Sequence, residues 1–156
     1  MASMRICSLC RKEKHLIRKS HIIPDFFFKE SGVYNNNHQI HKIEVQKHIR
    51  SRKVSFIPTG DYEGQILCKE CDNVLLGRLE TYGSKVLYGG LSRNEYIECK
   101  NYKNLFDGCE FSVCENVDYK RFKLFLLSIL WRASVTKRDL FNEAKMSSED
   151  EECEFD

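Results

Sequence analysis

Ile66-Leu67-Cys68-Lys69-Glu70-Cys71-Asp72 repeats the cysteine spacing of Cys7-Ser8-Leu9-Cys10, and the pairing of these two stretches decides the fold. Each C-x2-C turn forms a tight knuckle whose backbone amides point at its sulfurs, so two knuckles offer four thiolates at the corners of a tetrahedron. Zn²⁺ held by four thiolates keeps no open coordination position, which makes such a site structural and not catalytic. The alternative is a set of disulfides or redox dithiols. A thioredoxin-like dithiol needs one C-x-x-C after a strand in a βαβ unit, and two separated pairs do not fit that pattern. Cys7, Cys10, Cys68 and Cys71 are therefore the expected ligands of one structural zinc ion.

The other cysteines, Cys99, Cys109, Cys114 and Cys153, lack that spacing and read as small buried apolar residues or free surface thiols. No apolar leader is visible ahead of the first knuckle, and eight cysteines in such a chain predict a reducing, cytoplasmic setting. With 156 residues, 42% of them hydrophobic, the chain suits one core and is short for two. One zinc-organised domain over residues 1–146 is expected, followed by a disordered acidic tail at 147–156, where six acids face no base. The longest apolar run, Leu124 to Trp131, is broken by Ser128 and falls far short of the ~20 residues that span a bilayer.

The net charge of +2 hides a segregation. Residues 1–53 carry 12 Lys or Arg against 4 Asp or Glu, and all five histidines fall within the first 48 positions. Such a segment beside a zinc knuckle is the footprint of a phosphate-backbone binder, with Arg50, Arg52 and Lys53 as candidate contacts. A solvated basic surface gives the same composition.

Along the chain, Ile22, Ile23 and Pro24 favour an extended backbone, which puts His21 on a strand. Asp25 is expected to cap a short helix through Phe26 to Phe28 that Gly32 closes. Tyr34 to His38 read as a loop. Alternation over His41 to Ile49 predicts a strand, Val54 to Ile57 a second, and Gln65 to Leu67 a third that delivers Cys68. Leu75, Leu79, Tyr82 and Val86, with Leu76 and Leu87 beside them, follow helical spacing until Gly89-Gly90, placing Cys71 at a helix N-terminus whose dipole favours a thiolate. Residues 91–115 give short strands and loops. Asp118 then caps a helix to about Ser134, so apolar that the rest of the domain or a second subunit must bury it, which makes a homodimer through 118–134 a hypothesis. The expected class is α+β, a small zinc-stabilised ββα core with a C-terminal helical extension.

A zinc knuckle, a β-hairpin and a helix whose first turn carries the second cysteine pair is similar to the treble-clef arrangement. With Ser20-His21-Ile22-Ile23-Pro24 between the knuckles, the first 80 residues or so resemble the HNH, or His-Me finger, endonucleases. A looser similarity, to uncharacterised bacterial proteins sharing SHIIP, CDN, LETY and SILWRAS, reaches about residue 138 and implies no activity.

The endonuclease resemblance implies phosphodiester hydrolysis assisted by Mg²⁺ or Mn²⁺, with His21 as general base. The family's metal-binding histidine after the last cysteine corresponds to Asp72, a suitable hard ligand. Glu80 stands eight residues further along, roughly 12 Å of α-helix, too far to share an ion with Asp72. This chain departs from the family in having Ser20 where a metal-binding residue often precedes the histidine. It also lacks an asparagine just before Cys68 and leaves 46 residues between His21 and Cys68. His38 and His41 could donate further ligands, though in a polar loop their side chains are expected to be solvated. DNA is the expected substrate before RNA. The alternatives are a non-catalytic treble-clef module that grips nucleic acid and an interaction protein that uses the helix at 118–134.

Overall fold

The computed structural model describes residues 4–37, 39–45, 52–57, 60, 62–92 and 96–147. The first knuckle rides on a short hairpin in which β1 (Arg5–Ile6) pairs antiparallel with β2 (Glu13–Lys14). The turn is closed by Cys7 N donating to Lys12 O and Arg11 N donating to Cys7 O, both at 2.9 Å. Arg11 takes a φ of 56°, the left-handed conformation needed to bring the chain round the sulfur of Cys7.

His21 does lie on a strand. β3 (Ser20–His21) leads through buried Ile22 and Pro24 into α1 (Asp25–Glu30). Asp25 is not the cap that the sequence suggests: Pro24 holds that position, and the Asp25 carboxylate instead accepts from the Tyr34 hydroxyl. Gly32, at φ 67°, closes the helix as expected. In the loop that follows, Asn35 Oδ1 accepts from the N–H groups of Asn37 and Gln39, each at 2.9 Å. β4 (Ile40–Val45) then pairs with β5 (Arg52–Ile57), with Ile40 opposite Ile57.

β6 (Tyr62–Glu63) returns to β3, setting His21 opposite Tyr62 and Ser20 opposite Glu63. The strand expected at Gln65–Leu67 is absent. Gly64 lets the backbone come so close to Arg18 that an added Cβ would lie 2.8 Å from its carbonyl oxygen, and Gln65 at φ 63° turns the chain out of the ladder. The segment still bonds the first knuckle, since Ser8 N donates to Ile66 O and Ile17 N to Leu67 O, each at 2.9 Å.

A π-helical segment, Glu70–Leu76, follows and continues as α2 (Gly77–Tyr88). Of the two adjacent leucines in the predicted stripe, the structure turns the second inward. Leu76 is fully buried while Leu75 is 45% exposed. A π turn closes from i to i+5, so Cys71 and Leu76 share the inward face that 3.6-residue counting gives to Leu75.

Residues 91–115 hold a more regular element than the sequence suggests. β7 (Glu98–Lys103) and β8 (Glu110–Glu115) form a six-pair antiparallel hairpin whose strand residues are all exposed. Cys99 and Cys114 stand opposite each other and are joined by a disulfide. They are thus neither buried apolar residues nor free thiols, and a disulfide is not what a reducing compartment predicts. Cys109 is free and exposed.

α3 (Tyr119–Val135) starts where expected, with Asp118 Oδ1 accepting from Arg121 N at 3.1 Å. Phe125, Ser128, Trp131 and Arg132 are buried on one face, so that face packs within its own chain, while Leu126 and Leu130 stay partly exposed. Trp131 closes the core formed with Cys7, Leu67, Cys68, Cys71 and Leu76. The architecture is mixed α+β, and no helix among the described residues is long and apolar enough to cross a membrane.

Candidate metal centre and the adjoining groove

The two knuckles meet. The Sγ atoms of Cys7, Cys10, Cys68 and Cys71 all lie within 4.8 Å of one another, and all four cysteines are unoxidised. Cys7, Cys68 and Cys71 are buried, with Leu67, Leu76 and Trp131 packed around them. Cys68 N donates to Cys7 Sγ at 3.3 Å, an amide contact that favours sulfur as an anion. Burial, together with hydrogen bonds that the Cys71 S–H makes to the neighbouring sulfurs of Cys68 and Cys10, pushes the Cys71 thiol far above its usual range. Four thiols this close become thiolates only if a cation offsets their mutual repulsion and desolvation. The donor set therefore fits a metal ion such as zinc, which four-sulfur coordination suits.

Beside this centre runs an open groove of about 680 Å³, lined by His21 and Phe26 on one side and by Asp72, Asn73, Glu80 and Lys85 on the other. His21 reaches it from β3 and Asp72 from the π-helical turn that carries Cys71. Ser20 is buried, and its hydroxyl donates to Asp72 Oδ1 at 2.5 Å. Ser20 thus orients the neighbouring carboxylate. Glu80 Oε1 accepts from Arg132 Nη1 at 2.5 Å, so its charge is already matched. Among the described residues, the cysteines are the one group of three or more Cys, His, Asp or Glu side chains close enough to share an ion.

Two residues that brace the β3–β6 pair behind the groove escaped the sequence reading. Arg132 is 1% exposed and donates from Nη1 to His21 O at 2.9 Å and from Nε to Ser128 O at 3.1 Å. Glu63, opposite Ser20, accepts from Thr136 Oγ1 at 2.9 Å and from the N–H groups of Lys137 and Gly64 at 3.2 Å. Burial alone would raise the Glu63 carboxyl. Those hydrogen bonds and the Arg138 charge outweigh it and hold the group below its usual range. The available signal for Arg132 was a charge inside an apolar helical run, which is informative because buried arginines need partners.

Arg50, His38 and the tail from residue 148 lie outside the described residues, and Arg52 and Lys53 are described only as backbone at the start of β5. His41 sits in β4, its ring edge-on to Phe56 at 4.7 Å, away from the groove-lining set. A second depression shares Asn73, Gly77 and Thr81 with the groove and is lined by Arg78 and Arg121. Comparison with known proteins yields no match: no family model, no curated protein and no solved structure.

Proposed function

We propose that the chain is an HNH-like, metal-dependent nuclease built on a treble-clef zinc centre, with DNA as its substrate class. The observation that carries this reading is the lining of one groove by His21 and Asp72, which leave a two-stranded ladder and the following helix directly beside the four-cysteine cluster. Structural zinc fixes the two knuckles and, through them, the groove walls. Asp72, aimed by Ser20, is the protein ligand for Mg²⁺ or Mn²⁺. When bound, such an ion supplies charge to the phosphate and to the departing oxygen. One carboxylate is a sufficient protein contribution, because Mg²⁺ keeps several waters and takes further oxygens from substrate phosphate.

The His21 imidazole takes a proton from water as the water oxygen bonds to phosphorus. The P–O bond to the departing sugar oxygen breaks with its electron pair, and solvent protonates that oxygen. A neutral imidazole suits the proton transfer because its ordinary pKa lies near neutral pH. Lys85 in the groove and Arg78 and Arg121 in the adjoining depression offer cations to flanking phosphates.

One observation favours a second reading, a non-catalytic zinc module that binds nucleic acid or a protein. The Asp72 and Glu80 carboxylates both have intramolecular partners, which blunts the groove as a metal site. Supercoiled-plasmid nicking with and without Mg²⁺ or Mn²⁺ separates the two: metal-dependent cutting supports the nuclease, whereas salt-sensitive binding without cutting supports the module.

A further inference from the structure

We propose that Arg132 is a positioning residue for His21, with Glu80 as its counter-charge. The inference rests on the nuclease reading and extends it to α3, which the resemblance to the endonucleases does not cover. β3 is two residues long and pairs only with the two residues of β6, too short a ladder to fix a side chain. Both strands are instead gripped by one distant segment, 111 residues from His21 and 73 to 76 residues from β6. Arg132 holds His21 O, Thr136 and Lys137 hold the Glu63 carboxylate, and Arg138 Nε donates to Tyr62 O at 2.7 Å.

Arg132 is an expensive way to achieve packing alone. It buries a guanidinium at 1% exposure, and Nη2 has no hydrogen-bond partner among the described residues. A buried donor left unpaired costs stability, and a buried ion pair is often replaced by neutral residues of similar volume without loss. What the guanidinium does that a methionine cannot is bond the His21 carbonyl and the groove-lining Glu80 carboxylate through the same nitrogen. That couples the backbone bearing the imidazole to the helix wall facing it. A reacting group displaced by about 1 Å loses on the order of 10²-fold in rate.

The test is a double variant, Glu80→Gln with Arg132→Met, made in the full zinc-loaded chain, because Arg132→Met alone would leave the half-buried Glu80 carboxylate without its partner. Nicking kinetics, DNA affinity, zinc content and Tm are measured beside the parent. The expected result is a kcat about 10²-fold lower, with KM, zinc and Tm held. Arg132→Lys, which keeps the charge but loses the planar fork, is expected to fall between the two. Unchanged kcat overturns the proposal, and so does a kcat that falls only in step with Tm, since that marks a purely structural brace. If the parent cuts nothing, the nuclease reading fails by itself. The tether is then judged by the His21 ring resonances in NMR spectra of parent and double variant: a shift supports it, and identical spectra overturn it.

Discussion

The Ser20 hydroxyl donates to the Asp72 carboxylate, tying the strand that bears His21 to the first turn of the helix that bears Cys71. The bond spans 52 residues of sequence, and Ser20 is buried where it is made. Groups that orient a metal ligand typically contribute 10- to 100-fold to metal affinity or activity. Ser20→Ala is therefore expected to raise the Mg²⁺ concentration for half-maximal nicking by roughly 10-fold while zinc content stays at one per chain. A metal titration of nicking checks this, and an unchanged midpoint would remove Asp72 from the ion's coordination.

Zinc removal is expected to unfold the knuckle half of the chain. Structural zinc sites supply about 10–16 kcal/mol of apparent binding free energy, as much as the typical stability of a whole domain. Cys68→Ser should give an unstable chain, and chelation should abolish the cooperative thermal transition. Elemental analysis and circular dichroism measure both. Native spectra after complete zinc loss would contradict the assignment.

Gly83 meets α3 closely: a Cβ there would lie 2.5 Å from the Phe125 ring. Alanine gains about 1 kcal/mol of helix propensity over glycine, but overpacking a buried contact costs typically 1–3 kcal/mol. Gly83→Ala is expected to be destabilising on balance, with partial recovery when Phe125→Leu is added. Denaturant midpoints of the single and double variants decide it.

The Glu63 carboxyl is held below its ordinary range in the folded chain, so it contributes stability above the unfolded value near pH 4.3 and loses that contribution as pH falls through the folded value. Glu63→Gln is expected to lower stability at pH 7 by about 1 kcal/mol, roughly 3 °C in Tm, and to make little difference once the pH is well below 4. Paired melts at pH 7 and pH 3 test the sign. An equal deficit at both would mean that the charge of Glu63 is irrelevant.

What the sequence made legible follows from how locally each feature is determined. The cysteine pairs were readable because coordination fixes their spacing, and the start of α3 because Asp118 is a sufficient local cap. That Leu76 and not Leu75 centres the buried face was not, since a π turn shifts the register by a residue that periodicity cannot foresee. The β7–β8 hairpin has no buried face and so leaves no clear alternation, and its Cys99–Cys114 bond depends on register across the ladder. His21 and Asp72 could be named from their motifs. Their partners Arg132 and Ser20 depend on long-range packing, which no spacing rule carries.

The central claim is metal-dependent hydrolysis with His21 as the base, and the direct measurement is plasmid nicking by the parent and by His21→Ala across a Mg²⁺ and Mn²⁺ series. A general base contributes typically ~10²- to 10⁴-fold, so the account predicts cutting by the parent only with added divalent ion, and a loss of that size in His21→Ala with zinc content and DNA affinity unchanged. A parent that cuts with no divalent ion tested, or a His21→Ala chain that cuts as fast as the parent, would contradict it.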